Sequence, residues 1–288
     1  MVTDITSGKL QEVSLTQGTV CYHDRGTGPA VVFIHGIFAN SALWQGVIPL
    51  LSEHFRCIAP DLPLGAHTVP LKADADLTPP GIARLIADFM EALDLHDVML
   101  VGNDTGGAIC QLVIANYPER ITRLVLTNCD AYEQFFPGLI SPFHYGARFF
   151  GIGFTNFLAW LLRNRLAQRL LVKSVAMRQP DVDLLDSSFR PLYANVEVRR
   201  DITKFLRAVS NRYTLEAACA FPRFQHPVLL VWGRNDLFFA SDLARRLQRD
   251  FPHATLKFVA GSRAFVPVDQ PEFLVQCIEE FVNESIPS

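Results

Sequence analysis

Apolar residues follow two patterns along this chain, and the patterns alternate. Short runs in which almost every residue is apolar are typical of parallel strands covered on both faces. Apolar positions three and four residues apart, as from Pro79 to Leu93, indicate amphipathic helices. The alternation predicts an α/β protein with a doubly wound, mostly parallel eight-stranded sheet. The predicted strands cover residues 10–16, 19–24, 30–35, 55–59, 98–101, 124–126, 228–232 and 255–259.

The alternation stops in one long stretch, residues 131–215, where Phe, Leu and Arg recur at helical spacing without a strand pattern. Three parts are therefore predicted: α/β core at 1–130, a helical cap (lid) at 131–215 and the second part of the core at 216–288. Because the insertion follows the strand that ends at Thr127, we expect it to lie over the carboxyl ends of the strands, where open α/β sheets bind ligands. Residues 131–222 hold 10 of the 22 phenylalanines, which indicates an apolar cavity under the cap.

The segment VGNDTGG at 101–107 follows a predicted strand and opens a predicted helix. Its glycines, two residues before and two residues after Asp104, have the spacing of a nucleophile elbow. A sharp strand-to-helix turn strains its central residue and leaves room only for small neighbours, which explains Gly102 and Gly106. This turn would project Asp104 over the sheet as a catalytic group. In the alternative interpretation, Asp104 only caps the helix that starts at Thr105.

A second segment, FIHGIF at 33–38, places a His-Gly loop at the end of a buried strand. Such a loop can bring the Ile37 N–H towards the elbow, where it joins the Thr105 N–H in a predicted oxyanion hole. His35 is expected to be a structural residue that braces this loop.

Two acidic residues are candidates to orient a catalytic base. Asp236 follows a late strand, where the acid of a triad belongs in the chain order nucleophile, acid, His. Asp130 follows the strand that ends at Thr127 and is the second candidate. Each acid has the alternative role of a loop cap.

Composition narrows the class of protein. Apolar residues make up 49%, which excludes a disordered chain, and the net charge of −3 argues against nucleic acid as the main partner. The six cysteines form no CxxC pair and are predicted to be buried, reduced thiols, neither disulfides nor a metal site. Neither a dinucleotide fingerprint nor a P-loop is present, so no cofactor is expected.

The first residues have no leader pattern, and the most apolar stretch, 149–162, is shorter than a membrane span. A cytoplasmic protein without a membrane partner is therefore expected.

These segments, in this order and with this insertion, resemble the α/β-hydrolase fold superfamily over residues 10–285. An aspartate at the elbow, in place of serine, is similar to the branch of haloalkane dehalogenases and soluble epoxide hydrolases. The resemblance implies that Asp104 attacks a carbon of the substrate, that an alkyl ester forms, and that a His-activated water hydrolyses it.

The chain departs from this branch at the catalytic histidine, because the matching position in GSRAFVPVDQPE at 261–272 is Ala264. Three explanations remain open: a variant in which His was replaced, a natural non-hydrolytic member in which Asp104 is an acid or base, or a ligand-binding protein without chemistry. Arg263 beside the gap has two interpretations, a partner of Asp104 or a solvent-facing charge. His35 and His144 are the candidate substitutes for the missing base.

Other marks of the branch are absent as well. Dehalogenases have a Trp after the nucleophile and a donor after His-Gly; this chain has Thr105 and Ile37, which disfavours dehalogenation. Related epoxide hydrolases use two tyrosines of the insertion, for which Tyr132, Tyr145, Tyr193 and Tyr213 are available. The predicted substrate is a small-to-medium apolar molecule with an ester, epoxide or related C–X bond. The alternative is a non-catalytic or lyase- or isomerase-like member of the same fold.

Overall fold

The fold is seen in a computed structural model, which describes residues 9–136, 138, 140–179 and 181–284. It contains one eight-stranded sheet with the order β1-β2-β4-β3-β5-β6-β7-β8. The first two strands run antiparallel to their neighbours and all the others are parallel. The predicted fold class is therefore confirmed. The strands are β1 (Lys9–Leu15), β2 (Gly18–Arg25), β3 (Ala30–Ile34), β4 (Arg56–Pro60), β5 (Val98–Asp104), β6 (Ile121–Cys129), β7 (Val228–Gly233) and β8 (Ala254–Val259).

Helices follow most strands, as the alternating pattern predicts. One exception is residues 41–51, where the sequence pattern predicts a single helix. This prediction is wrong, because the segment forms a short 3-10 turn, Ser41–Trp44, and a separate four-residue helix. Gly46 and Pro49 lie in this segment, and both are poor residues for a helix interior. The helices are α1 (Ile48–Leu51), α2 (Pro79–Ala92), α3 (Thr105–Asn116), α4 (Ser141–Phe150), α5 (Ile152–Leu161), α6 (Arg165–Val175), α7 (Val182–Ala194), α8 (Val196–Ala208), α9 (Asn211–Ala218), α10 (Ser241–Asp250), α11 (Val266–Asp269) and α12 (Pro271–Glu284).

Side chains of successive strand residues enter two different hydrophobic cores, one on each face of the sheet. In β3, Val32 and Ile34 pack in the larger core with α2 and α3, whereas Val31 and Phe33 pack in the smaller core with α12. This alternation follows from the two-residue period of a strand. It explains why the parallel strands are apolar at nearly every position.

The helical insertion continues the larger core above the sheet. Helices α4 to α8, called the cap below, pack on one another. The next helix, α9, packs on α3 of the core, so the predicted boundary at residue 215 falls inside a helix that contacts the core. Among the described helices, none is long and apolar enough to cross a membrane.

The cysteines differ from the prediction at one position. Cys219 is exposed, whereas the other five are buried, and all six are free thiols. Cys219 lies just after α9, on the side of the chain that faces solvent.

Candidate active site

The chain turns sharply between β5 and α3, and Asp104 lies at the centre of this turn. Its backbone has φ 55° and ψ −133°, a strained conformation for a residue with a side chain. Asp104 occupies the N-cap position of α3, but its side chain makes no capping hydrogen bond. The strain therefore does not serve a helix cap, and the carboxylate is directed to the carboxyl ends of the strands.

Glycines make this turn possible by allowing two pieces of backbone to touch. A Cβ at Gly106 would overlap the carbonyl oxygens of Ile34 and His35 at the end of β3. A Cβ at Gly36 would overlap the Asp104 carboxylate itself. The His-Gly loop and the turn at Asp104 are thus in direct contact, as the spacing of the glycines predicts.

The buried imidazole of His35 holds this loop in place. Its Nε2 accepts a hydrogen bond from the Leu62 N–H at 2.8 Å, so the proton lies on Nδ1, which donates to the Gly36 carbonyl at 2.8 Å. Burial lowers the pKa of His35, which favours this neutral form. Because both ring nitrogens are engaged, one by the loop itself and one by the segment after β4, His35 is not free to activate water.

Asp236, just after β7, lies near Asp104 and is held in one orientation. Its Oδ2 accepts from Asn128 Nδ2 at 2.6 Å and its Oδ1 accepts from the Phe238 N–H at 2.8 Å. Burial raises the pKa of Asp236, while these hydrogen bonds oppose the rise. The charge of Asp236 in turn acts on Asp104.

Asp130 lies just after β6 and is completely buried. Its Oδ2 accepts from Thr105 Oγ1 at 3.4 Å, whereas no described residue is a partner for its Oδ1. Burial, and then the charge of Asp104, raise the pKa of Asp130 well above its usual value. This acid therefore favours its neutral form.

Burial is also the main reason why the pKa of Asp104 rises to about 7, and the charge of Asp236 adds to the rise. The Thr105 N–H partly opposes this rise by favouring the carboxylate. None of the ion pairs formed by the described residues involves any of the three acids. A carboxyl group with such a pKa can accept or donate a proton near neutral pH.

An apolar cavity of about 70 Å³ lies directly above Asp104. The walls come from the His-Gly loop, from the loop after β7, from the segment before α11 and from the cap. Among the described residues that line it, Asp104 is the only one with a titratable side chain, and Ser174 and Ser188 supply the only side-chain hydroxyls. The other lining residues are Ile37, Phe38, Ala39, Leu43, Ile140, Phe143, Leu171, Val172, Val175, Leu184, Phe189, Phe238, Phe239 and Phe265.

Ala264 is buried beside the turn, on the segment that closes the cavity. Its carbonyl accepts a hydrogen bond from Asn103 Nδ2 at 2.7 Å, which ties the segment to β5. The next residue, Phe265, donates its N–H to the Val175 carbonyl of α6 at 2.8 Å and lines the cavity. The position at which the sequence analysis expects a histidine thus carries only a methyl group, on a segment that is bound to the residue before Asp104.

The remaining candidates for a base or a counter-ion make contacts elsewhere. Arg263 donates through its guanidinium to the Lys173 carbonyl and through its N–H to Asp269, and of its two interpretations the pairing with Asp104 is not found among the ion pairs of the described residues. His144 Nδ1 donates to the Leu206 carbonyl at 2.8 Å, inside the cap, and does not line the cavity. Its contact arises because α4 packs on α8.

The cap aromatics contribute less to the cavity than their number predicts. Of the ten phenylalanines in 131–222, only Phe143 and Phe189 line it, and no described tyrosine does. Tyr132 instead donates to Asp250 Oδ2 at 2.7 Å, and Tyr145 is more than half exposed. A pair of tyrosines that protonates an epoxide is therefore not part of this cavity wall.

Three polar residues that the sequence analysis missed organise the site. Asn103 and Asn128 are completely buried and join β5 and β6 to the segments that carry Ala264 and Asp236. Asp269 is equally buried and accepts from the N–H groups of Met177, Arg178 and Arg263, which fixes the end of α6 against the core. The sequence does contain a signal for the two asparagines, because each is a polar residue near the end of an otherwise apolar strand.

Comparisons with known proteins agree with this architecture. The alpha/beta hydrolase fold family matches residues 29–271. A haloalkane dehalogenase of Mesorhizobium japonicum is 35% identical over 272 residues, which cover 89% of this chain and 82% of the relative. Haloalkane dehalogenase 2 of Mycobacterium tuberculosis is 27% identical over 271 residues, 92% of each chain. The crystal structure of haloalkane dehalogenase DbeA from Bradyrhizobium elkani shares the fold, with a TM-score of 0.81 at 19% identity, covering 96% of this chain and 98% of that one.

The family match covers most of the chain, and it includes strands β3 to β8, the turn at Asp104 and the segment with Asp236. The sheet order and the helical insertion are those that the sequence pattern predicts for this architecture. This chain belongs to the α/β-hydrolase fold family, in the branch that resembles haloalkane dehalogenases.

Proposed function

We propose that this α/β-hydrolase-fold enzyme uses Asp104 as a nucleophile on a small-to-medium apolar substrate with an ester, epoxide or related C–X bond. The observation that supports this function best is the position of Asp104, a strained residue at the base of an apolar cavity that contains no other titratable group among its described lining. In the proposed step, an Asp104 oxygen bonds to the substrate carbon, the C–X or C–O bond breaks, and the leaving group departs with the electron pair. The Thr105 and Ile37 N–H groups are the proposed oxyanion hole.

The second half of the reaction is expected to be slow. Hydrolysis of the ester needs a base that takes a proton from water, and such a base contributes roughly 10²–10⁴ in rate. Ala264 stands at that position, and His35 and His144 are engaged elsewhere. Asp236, which is held by Asn128 and by the Phe238 N–H, is the proposed orienting acid for a histidine at position 264.

Covalent labelling tests the nucleophile. The protein is incubated with 1,2-epoxybutane or 1-bromobutane, and the peptide containing Asp104 is measured by mass spectrometry. We expect the mass of the opened epoxide or of a butyl group on that peptide. The labelling rate should rise with pH around a midpoint of about 7, because only the carboxylate attacks. Asp104→Asn must abolish the adduct, and Asp236→Asn must retain it; an unmodified peptide after long exposure rejects this function.

Restoring the base tests the second half of the reaction. We expect Ala264→His to raise turnover at least tenfold and to remove the accumulated adduct. In ¹⁸O water, turnover should then place ¹⁸O in the Asp104 carboxylate, because water attacks the ester carbonyl. Ala264→Gln, which is similar in size but is not a base, is the control. Equal rates for the two variants would show that the site does not support a triad.

A lyase- or isomerase-like function is the second candidate, and the pKa of about 7 at Asp104 favours it. Such a carboxyl group in a cavity without another described ionisable group is suited to moving a proton to and from carbon. The expected signature is exchange of deuterium from D₂O into a small ketone such as 2-butanone, lost in Asp104→Asn, without a covalent adduct. Micromolar binding of an apolar ligand without exchange, adduct or turnover would instead indicate a binding protein.

A further inference from the structure

The outer side of the cap exposes many large apolar side chains. Ten of the sixteen large hydrophobic residues that are exposed in the described part of the chain lie between residues 145 and 177. The exposed fraction reaches 74% for Phe149 and Phe150, 63% for Trp160 and 65% for Leu166. Such a concentration of exposed large apolar side chains indicates an interaction site.

Helical spacing places these side chains on common faces. On α6, Leu166, Leu170 and Lys173 follow one another at intervals of four and three residues, and all are exposed. On α5, Phe157 and Trp160 stack with ring centroids 5.9 Å apart. The opposite faces of the same helices point inwards, because Val172 lines the cavity and Leu158 is buried. We call the exposed side of α4, α5 and α6 the outer cap face.

The charge of this region is opposite to that of the rest of the protein. Residues 141–179 contain six basic residues and no acidic residue, so the rest of the chain carries −9, since the total is −3. All six basic residues are exposed. One of them, Arg165, is paired with Asp186 of α7 at 2.6 Å, and Asp181 and Asp183 at the start of α7 are the nearest acids in sequence. The six are Arg148, Arg163, Arg165, Arg169, Lys173 and Arg178.

The combination of exposed apolar side chains and positive charge fits an anionic lipid surface better than a second copy of the chain. A two-fold contact would place the same basic surface against itself, and the like charges would repel each other. An anionic bilayer satisfies both properties, because aromatic and leucine side chains enter the boundary between headgroups and acyl chains while Arg and Lys contact lipid phosphates.

We propose that the outer cap face binds the surface of anionic lipid bilayers. The inner faces of α4 and α6 line the cavity above Asp104 through Phe143 and Val172, so an apolar substrate dissolved in the bilayer would enter close to the site. That last step rests on the proposed function, whereas binding of the bilayer does not. The sequence predicts no membrane partner because no apolar stretch is long enough to span a bilayer, but peripheral binding needs no span.

A single tryptophan provides the first test. The chain has three, of which Trp44 and Trp232 are completely buried, so a change in fluorescence on binding reports on Trp160. With vesicles of equal parts phosphatidylglycerol and phosphatidylcholine, we expect a blue shift of its emission and co-flotation of the protein. Phosphatidylcholine vesicles should give neither, and 0.5 M NaCl should weaken binding. Trp160→Phe should lose the shift but still float with the vesicles.

Paired variants test which residues bind. Leu166→Ser with Leu170→Ser should lower the vesicle partition coefficient at least tenfold. Arg163→Gln with Arg169→Gln should lower it about 25-fold, from roughly fivefold per basic residue. Two matched control pairs remove the same groups from exposed positions outside the cap: Leu10→Ser with Leu237→Ser, and Arg223→Gln with Arg249→Gln. Their partition coefficients should stay within twofold of that of the unmodified protein. Circular dichroism checks that each variant is folded.

Several results would overturn the proposal. Absence of binding to the anionic vesicles at low salt is one, and an equal loss in the control pairs is another. Sedimentation velocity without lipid gives a third: a dimer that Leu166→Ser with Leu170→Ser dissociates would show that a second copy covers this face. Asp104→Asn should bind vesicles as the unmodified protein does, so a failure of the proposed chemistry is distinguishable from a failure of lipid binding.

Discussion

The turn at Asp104 and the cap above it are both largely apolar, but they differ in how tightly they are packed. At the turn, every residue of β5 is buried, and the glycines leave no space for a methyl group. In the cap, Gly153 has no atom within 4 Å of the place where a Cβ would lie, and large side chains face outwards. The comparison shows that the core is built to hold one carboxylate in a strained geometry, whereas the cap only has to cover it.

Adding one methyl group to each region should give the largest difference in the free energy of unfolding. We expect Gly106→Ala to destabilise the protein by about 3–5 kcal/mol, because its Cβ overlaps backbone oxygens that cannot move independently. Gly153→Ala in α5 should be neutral or stabilising by up to about 1 kcal/mol, since alanine favours a helix. Urea unfolding measures both; similar losses in the two variants would contradict the comparison.

Two phenylalanines of the cap, one on its inner side and one on its outer side, should differ in their contribution to stability. Phe189 is 2% exposed and lines the cavity, so Phe189→Ala should cost about 3–4 kcal/mol. Phe157 is 56% exposed, and Phe157→Ala should cost less than about 1 kcal/mol, including its stacking on Trp160. Thermal denaturation in the absence of lipid is the measurement. A large loss from Phe157→Ala would show that the outer cap face is part of the folding core.

The cost of the buried carboxylate should appear as a pH dependence. Between pH 4 and 7 the native state retains the Asp104 proton that the unfolded state releases, so stability falls as pH rises through this range. The rise in pKa corresponds to about 4 kcal/mol, and we expect about 2 kcal/mol because relaxation of the protein and of nearby water lowers the effective cost of burying the carboxylate. Asp104→Asn should therefore be about 2 kcal/mol more stable than the original chain at pH 8 and equal to it at pH 4. Asp183→Asn, at an exposed cap position, should show no such gain at pH 8.

Local patterns were sufficient for the sheet and for the turn. Runs such as Val98–Val101 are apolar because both faces of the strand are covered. The glycines around Asp104 indicate that two backbone segments approach each other closely, since a side chain would not fit there. The pattern failed at 41–51, where Gly46 and Pro49 interrupt what otherwise resembles one helix. It left two interpretations open for Arg263, whose partner on α6 is ninety residues away in the chain.

The sequence by itself determined the strand and helix alternation, the position of Asp104 in its tight turn and the absence of a histidine at position 264, because each of these is a property of neighbouring residues. Only the tertiary structure decided that both ring nitrogens of His35 are engaged, that Asp236 is held by Asn128, and that two of the ten phenylalanines in 131–222 line the cavity. The physical reason is that helical spacing defines faces of a helix but not what packs against them. Burial and hydrogen-bond partners depend on contacts between segments that are distant in the chain.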